Sequence, residues 1–157
     1  MFTGIIQNLG KIINLSDSKE KIFTIETGLN LSTCKLGSSI SCDGICLTII
    51  SIKKNKKKYI FQVNVSEETL KRSTIKYWKK STLVNLEKSL KVGDELSGHF
   101  VYGHIDCICK ISKIKIQKSS WNFYFLLSKN LHKYLNKLIV EKGSISINGV
   151  SLTIANL

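Results

Sequence analysis

The chain has 157 residues, 43% of them hydrophobic, and a formal net charge of +13 at pH 7. This is enough apolar material for one globular core or two small ones, but no stretch approaches the roughly 18 to 20 apolar residues of a membrane span, so we expect no membrane partner. The N-terminus carries neither a basic leader nor a long apolar segment, and we expect a cytoplasmic protein.

Most of the predicted elements, taken in chain order, are β-strands. Segments rich in Ile, Val, Thr and aromatic residues predict strands over residues 4–15, 22–27, 39–52, 59–65, 83–86, 100–116, 121–127 and 144–154. Ser66 is placed to cap a short helix whose first turn carries Glu67 and Glu68 and whose i,i+4 partners are Lys71 and Arg72. Ser128 is placed to cap a second helix over residues 129–138. Many short strands of this kind are typical of small barrels or sandwiches.

The positive charge is carried almost entirely by lysine, since Arg72 is the only arginine among 24 basic residues. Lysine cannot make the bidentate contacts that arginine makes with base edges. The lysine run at residues 53–58 lies between two apolar segments and is typical of a solvated hairpin loop. A barrel that binds single-stranded nucleic acid would also need exposed aromatics along a positive groove. These features disfavour that alternative, and we expect no nucleic-acid partner.

The five cysteines, at positions 34, 42, 46, 107 and 109, are odd in number and form no CxxC pair. This disfavours both a disulfide framework and a zinc ribbon. A metal site built from His99, His104, Cys107 and Cys109 would have to join residues about 26 Å apart on an extended strand. We therefore expect reduced thiols and no metal.

The sequence contains an internal repeat. Residues 38–49 recur as residues 143–154 with seven of twelve positions identical, and residues 4–12 have a weaker echo at 103–111. A duplicated module explains this best, with a boundary near residues 93–98. About forty residues follow the first copy before position 90, whereas the chain stops three residues after the second, at Leu157. We expect the second module to be a fragment or shortened.

Within the repeat, period-two alternation puts small polar residues on one face and apolar residues on the other. The polar face carries Cys46 and Thr48 in the first copy and Ser151 and Thr153 in the second. The apolar face carries Ile45, Leu47, Ile49, Val150, Leu152 and Ile154. Taken alone, this pattern is also typical of an ordinary solvent-facing strand.

Six motifs occur in a fixed order along the chain. They are Met-Phe-Thr-Gly-Ile, Asp-Gly-Ile-Cys-Leu-Thr, Val-Ser-Glu-Glu-Thr-Leu, Val-Asn-Leu-Glu, Gly-His-Phe-Val-Tyr-Gly-His-Ile-Asp and Asn-Gly-Val-Ser-Leu-Thr. Together they resemble riboflavin synthase of the alpha-chain type, which is built from two lumazine-binding repeats. The resemblance implies an all-β fold of two tandem six-stranded Greek-key barrels with short helices, over residues 1–97 and 98–157. The second barrel would be incomplete at Leu157, with its remaining portion and a trimer-forming helix absent.

The resemblance also implies a reaction. Two molecules of 6,7-dimethyl-8-ribityllumazine exchange a four-carbon unit to give riboflavin and a ribitylamino-pyrimidinedione, without a cofactor. In the family the two lumazines meet between the first barrel of one subunit and the second barrel of its neighbour in a homotrimer. A non-catalytic lumazine or flavin carrier is the alternative, although retention of His104, Cys46, Ser151 and Thr153 argues against it.

The resemblance assigns roles to particular residues. His104 is the first choice for acid–base work, because an imidazole can take up and release a proton near neutral pH. Cys46 and Ser151 are candidate nucleophiles or hydrogen-bond donors, and Thr153 joins them as a catalytic candidate. His99 is expected to make a structural bond, and His132 to lie on the surface. The expected substrate-binding residues are Gly4, Ile5, Ile6, Cys46, Leu47, Thr48, Asn64, Val65, Ser66, Glu67, Glu68, Thr69, Gly103, His104, Ile105, Lys137, Ser151, Leu152 and Thr153.

Overall fold

The strand-forming segments of the first half close into a six-stranded antiparallel barrel. The computed structural model describes residues 1–16 and 21–157. The strands are β1 Asn8–Leu15, β2 Lys21–Thr27, β3 Ser39–Cys42, β4 Ile45–Asn55, β5 Lys58–Val65 and β6 Leu83–Lys88. They follow the order β1-β2-β5-β4-β3-β6, and β6 closes the barrel because it pairs with both β1 and β3. A closed barrel leaves no strand edge unpaired.

Alternate residues of these strands fill the barrel interior. The side chains of Ile12, Ile25, Ile40, Ile49 and Phe61 are fully buried there. Each such burial stabilises the fold by roughly 1.5–3 kcal/mol. The buried Trp78 ring meets Phe23 edge to face, with ring centroids 5.5 Å apart. The predicted alternation along β4 is confirmed, because its apolar face points into this core.

Both helices begin where the serine caps predicted. Helix α1 spans Glu67–Arg72, and the Thr69 N–H donates to Ser66 Oγ; Glu68 pairs with Arg72, as the i,i+4 spacing predicted. Helix α2 spans Lys129–Leu135, with the Leu131 N–H donating to Ser128 Oγ. It ends three residues before the predicted position 138. Within residues 1–16 and 21–157, no helix is long and apolar enough to span a bilayer.

Four of the predicted strands differ from the structure. The strand predicted over residues 4–15 begins only at Asn8. Residues 39–52 form two strands, because Asp43 (φ 49°) and Gly44 (φ 82°) make a two-residue turn. Residues 144–154 divide in the same way at Asn148 and Gly149. Residues 100–109 form no strand apart from an isolated bridge at Val101. A short 3-10 helix at Thr74–Tyr77, which buries Ile75, was not predicted.

The second half of the chain forms two separate hairpins. Strands β7 Lys110–Ile116 and β8 Trp121–Leu126 make one, and β9 Ser144–Ile147 and β10 Val150–Thr153 make the other. Every residue of β7 is exposed. The all-β fold with a closed six-stranded barrel is therefore confirmed for the first half. A second six-stranded barrel stays a prediction, since the described residues 98–157 contain only these four strands.

Candidate active site

The repeated sequence segments form two hairpins of identical register. In the first hairpin, β3–β4, Ser39 pairs with Thr48 and Ser41 with Cys46. In the second, β9–β10, the corresponding pairs are Ser144 with Thr153 and Ser146 with Ser151. The turn residues also match, with φ values of 49° and 82° in the first and 47° and 81° in the second. The two halves thus present Cys46 and Ser151 at equivalent positions.

The tips of the two hairpins lie against each other. A Cβ atom added to Gly44 would lie 2.6 Å from the Gly149 nitrogen, and one added to Gly149 would lie 2.8 Å from the Gly44 nitrogen. The Asn85 side chain donates from Nδ2 to the Asn148 carbonyl at 3.0 Å. Only glycine permits this approach, because its backbone has no Cβ and adopts positive φ without strain.

Each hairpin receives a glycine segment from the other half of the chain. The Cys46 N–H donates to the Gly103 carbonyl at 2.8 Å, and the Ser151 N–H donates to the Gly4 carbonyl at 2.7 Å. Between these contacts, Phe2 and Val101 exchange both main-chain hydrogen bonds in an antiparallel bridge. The arrangement is reciprocal: the N-terminal segment completes the second hairpin, and the segment around Gly103 completes the first. We call it the segment exchange.

The segment exchange divides the predicted site residues into two groups. The first cluster comprises Cys46, Thr48 and Gly103, with His104 and Ile105 following in the chain. Ile49 pairs with Val63, so Thr48 and Asn64 lie at the same end of the β4–β5 ladder, and α1 begins just beyond. The structure therefore places the predicted residues of β4, of the end of β5 and of the start of α1 near one another, whereas Gly4 contacts Ser151 of the second hairpin.

Not every predicted residue of the first cluster can present its side chain to a ligand. Leu47 is 4% exposed and Val65 4% exposed, because both side chains belong to the barrel core. A ligand could meet them only through the main chain. The Thr69 hydroxyl and N–H both bond to Ser66 Oγ, at 2.9 and 3.2 Å. Thr48 and His104, in contrast, are exposed, and Cys46 is half-buried.

The second cluster comprises Gly4, Ile5, Ile6, Ser151 and Thr153. Its central feature is a contact between His99 Nδ1 and Ser151 Oγ, 2.7 Å apart. A hydroxyl in contact with an imidazole is the arrangement by which a general base activates an oxygen nucleophile. Sequence reasoning assigned His99 only a structural bond and missed this pairing. The sequence feature that could have indicated a role for His99 is its place at the start of the Gly-His motif.

Two predicted residues lie at the margins of these clusters. Lys137 is exposed two residues after the end of α2. Among residues 1–16 and 21–157, no hydrogen bond or ion pair joins it to Ser151. Leu152 is 37% exposed on the apolar face of β10, opposite Ser151 and Thr153. Neither side chain takes part in the contacts that define the second cluster.

The thiols differ in their surroundings. Burial raises the pKa of the Cys42 thiol well above its usual range, because this side chain lies in the barrel core. Burial, with the neighbouring Cys109, raises the pKa of Cys107 to about 12, and the two sulfur atoms are 3.6 Å apart. Within the part of the chain that the structure describes, no group of three or more metal-ligating side chains forms.

Both clusters are open surfaces. A cleft of about 270 Å³ lies beside Thr3, Ile5 and Glu87, and a depression of about 390 Å³ lies beside Glu67, Leu70 and Lys76. Each adjoins one cluster, but neither is lined by Cys46 or Ser151. Cys46 and Ser151 therefore lie outside both of these cavities.

Comparison with known proteins identifies relatives of the whole chain. The Lumazine binding domain model matches residues 3–89 and 102–157. The chain is 37% identical to riboflavin synthase from Brucella abortus (strain 2308), over 98% of this chain and 75% of the relative. It is 40% identical to riboflavin synthase from Chlamydia trachomatis serovar D, over 100% and 73%. It is 38% identical to riboflavin synthase from Bacillus subtilis (strain 168), over 100% of this chain and 70% of the relative.

Solved structures with the same fold include LumP in two complexes. LumP complexed with riboflavin matches with a TM-score of 0.79 at 22% identity, over 98% of this chain and 79% of that one. LumP complexed with 6,7-dimethyl-8-(1'-D-ribityl) lumazine matches with a TM-score of 0.76 at 21% identity, over 98% and 78%. At these identities the likeness establishes the fold.

Proposed function

The chain belongs to the riboflavin synthase family, and from this premise we propose that it catalyses the dismutation of two 6,7-dimethyl-8-ribityllumazine molecules. The products are riboflavin and 5-amino-6-ribitylamino-pyrimidinedione, in the last step of riboflavin biosynthesis. The reaction class is transfer of a four-carbon unit, with the second lumazine as acceptor and no metal or redox cofactor. The proposed setting is the cytoplasm.

The segment exchange is the observation that carries the proposal. A dismutation needs two copies of one heterocycle, held so that one donates and the other accepts. The chain offers two equivalent hairpin positions, Cys46 and Ser151, each hydrogen-bonded to a glycine segment from the other half. Holding both reactants in fixed geometry is itself a large rate effect, worth about 7–11 kcal/mol in well-oriented systems. Two similar sites suit two identical substrates.

The main chain of each cluster supports recognition of the lumazine edge. That edge is amide-like, so peptide N–H and C=O groups can pair with it as one strand pairs with another. We assign Gly4, Ile5 and Ile6 to this role in the second cluster, and residues 64–69 in the first. The hydroxyls of Thr48 and Thr153 lie at equivalent hairpin positions and are assigned to the ribityl chain or the ring edge.

The proton transfers fall to the histidines. One lumazine must lose a proton from its C7 methyl group, and a nucleophile must add to the other ring. His104 follows Gly103, which is bonded to Cys46, so we assign His104 to acid–base work at the first cluster. At the second cluster, Ser151 is the nucleophile or donor, and its contact with His99 supports proton removal from its hydroxyl.

The open surfaces support an assembly. We propose lumazine-binding units at residues 1–97 and 98–157, and a homotrimer in which one subunit's first unit faces its neighbour's second. In that arrangement the two bound rings cover each other's open faces. Stacked rings at 3–3.5 Å would also be in reacting distance.

The test is incubation of the purified chain with 6,7-dimethyl-8-ribityllumazine while riboflavin fluorescence is followed. Formation of one riboflavin for every two lumazines consumed supports the proposal. Tight lumazine binding without riboflavin formation would indicate the non-catalytic carrier instead. No lumazine or flavin binding at all would contradict both functions.

A further inference from the structure

We propose that Glu87 is a positioning residue that sets the geometry of the His99–Ser151 pair from the opposite half of the molecule. Glu87 touches neither His99 nor Ser151 in the contacts described above; it acts through the N-terminal segment. The catalytic part of this inference rests on the proposed function, whereas the structural coupling can be measured without it.

The Glu87 carboxylate is buried and hydrogen-bonded to one short segment. Its side chain is 2% exposed at β6. Oε1 accepts from the Thr3 N–H at 2.7 Å and from the Thr3 hydroxyl at 2.7 Å, and Oε2 accepts from the Gly4 N–H at 3.0 Å. Burying a carboxylate is costly unless hydrogen bonds compensate it, and bonds to an ionised acceptor are the strong kind. Glu87 therefore fixes residues 3 and 4 firmly.

The same segment is held on its other side by the second half of the chain. The Phe2 carbonyl accepts from the Val101 N–H at 3.0 Å, and the Thr3 carbonyl accepts from the His99 N–H at 3.1 Å. The Gly4 carbonyl accepts from the Ser151 N–H at 2.7 Å. Residues 2–4 thus form a bridge between Glu87 and the second cluster.

Peptide planarity makes this bridge rigid. The Thr3 carbonyl and the Gly4 N–H belong to one planar peptide group and point in opposite directions. One side of that plane is held by Glu87 Oε2 and the other by the His99 N–H. The preceding peptide is held in the same way, by Glu87 Oε1 through the Thr3 N–H and by Val101 through the Phe2 carbonyl. A tilt of the Thr3–Gly4 plane would move the His99 main chain, and a tilt of the preceding plane would move that of Val101.

His99 carries that displacement to Ser151, because its Nδ1 lies 2.7 Å from Ser151 Oγ. Ser151 is tied to the same bridge through Gly4. Hydrogen bonding weakens steeply as its geometry departs from linearity, and a misplacement of about 1 Å can cost on the order of 100-fold in rate. The carboxylate of the first barrel therefore controls the alignment of a pair in the second cluster.

Two variants test the contact between Glu87 and the bridge, one at each of its two partners. Glu87→Gln keeps the shape, but its NH₂ group must face either the Gly4 N–H or the Thr3 donors, so at least one bond is lost. Thr3→Val keeps the shape of Thr3 and removes its hydroxyl, which donates to Glu87 Oε1 and accepts from the Ile5 N–H at 3.3 Å, whereas Thr3→Ser keeps the hydroxyl and both bonds. Glu95→Gln removes an equal charge from an exposed side chain and is the matched control.

The decisive readout is the ¹⁵N chemical shift of the His99 ring, which reports the Nδ1 contact with Ser151. We expect this shift to change in E87Q and T3V and to stay at its wild-type value in T3S and E95Q. We also expect faster hydrogen exchange at the Thr3 and Gly4 amides in E87Q, with the barrel amides of Ile25 and Phe61 unchanged. An unchanged His99 ring signal in both E87Q and T3V would overturn the proposal.

Kinetics then connect the bridge to turnover. We expect kcat for riboflavin formation to fall roughly 10- to 100-fold in E87Q, with a smaller change in KM. T3V should show a smaller loss, and the double variant should lose less than the sum, as residues in one network do. Equal losses in E87Q and E95Q would indicate a charge effect and overturn the assignment. If the wild-type chain makes no riboflavin, the proposed function fails, while the His99 signal and amide exchange still decide the bridge.

Discussion

The two hairpins of the repeat have the same register but different surroundings. In the first, Ile45, Leu47 and Ile49 are at most 4% exposed, because the closed barrel covers them. In the second, Leu152 is 37% exposed on the equivalent face. The hairpin is thus specified locally, by the turn and the alternation, whereas its burial depends on the strands around it. In the described residues the same local signal therefore stands in two settings, and only the first lies inside a closed core.

The sharpest way to break this comparison is to remove one aromatic side chain from each half. Phe61 is fully buried in β5, and Phe123 is 41% exposed in β8. We expect Phe61→Ala to lower the free energy of unfolding by about 3–5 kcal/mol, through lost burial and the cavity left behind. Phe123→Ala should cost about 1 kcal/mol or less, as surface changes do. Urea unfolding followed by circular dichroism measures both, and equal losses would contradict the assignment of the core to the first half.

The contact between the two hairpin tips can be tested with a pair of glycines. Gly149 (φ 81°) lies against the Gly44 backbone, whereas Gly37 (φ 84°) has nothing within 4 Å of an added Cβ. Alanine at either position carries the strain of a left-handed backbone, about 1–2 kcal/mol. Gly149→Ala must also separate the tips, so we expect it to lose at least about 1 kcal/mol more than Gly37→Ala.

The measurement is thermal unfolding of the two glycine variants beside the wild-type chain. A further readout is the amide signal of Asn148, whose carbonyl accepts from the Asn85 side chain. Equal destabilisation by the two substitutions would mean that backbone strain alone accounts for the loss. The hairpin tips would then not be in contact in solution.

Many of these elements can be predicted from the sequence, and the predictions that fail do so for identifiable reasons. The alternation of β4 and the caps at Ser66 and Ser128 are local features and were predicted. The divisions at Asp43–Gly44 and Asn148–Gly149 were missed, although Asp-Gly and Asn-Gly are the strongest short-range hairpin signals. The repeat was read as one long strand because its apolar alternation continues on both sides of the turn.

The segment exchange and the role of Glu87 could not have been predicted from local pattern. Gly103 meets Cys46 from 57 positions away, and Glu87 meets Thr3 from 84 positions away. Nothing in the Val-Asn-Leu-Glu motif indicates which backbone its carboxylate will reach. Barrel closure places β6, and with it Glu87, beside β1 and β3, whereas Gly103 reaches Cys46 from a segment outside the barrel strands. The sequence therefore offers candidate residues, and the structure shows which of them lie in contact with one another.

The two clusters can be compared through their histidines. His104→Ala removes the proposed acid–base group of the first cluster, and we expect kcat to fall at least tenfold, or about 1.4 kcal/mol in activation free energy. His132, exposed on α2, provides the control, and His132→Ala should leave turnover unchanged. Steady-state formation of riboflavin measures both. Wild-type turnover in His104→Ala would assign the proton transfer elsewhere, with the His99–Ser151 pair as the next candidate.

The two hairpin turns also differ in one ionisable group, because Asp43 in the first corresponds to Asn148 in the second. Burial raises the pKa of Asp43 to about 6 from its usual 3.8, against hydrogen bonds from the Asn85 backbone and the Trp78 side chain that lower it. Between about pH 4 and pH 6 the folded chain therefore holds a proton on Asp43 that the unfolded chain has released. The stabilisation is complete below about pH 4 and is lost as the pH rises to about 6.

Asp43→Asn makes the first turn chemically like the second and removes this titration. Its side-chain oxygen can still accept from the Asn85 N–H, as Oδ1 of Asp43 does at 2.7 Å, and asparagine tolerates the positive φ. As the pH rises from 4 to 7, we expect the free energy of unfolding of the variant to increase by about 1 kcal/mol relative to that of the wild type. This is less than the roughly 3 kcal/mol of a full two-unit shift, because Asp43 stays partly in water. Urea unfolding at several pH values measures the difference. Parallel pH profiles for the two chains would show that the charge of Asp43 is as well accommodated in the folded turn as in the unfolded chain.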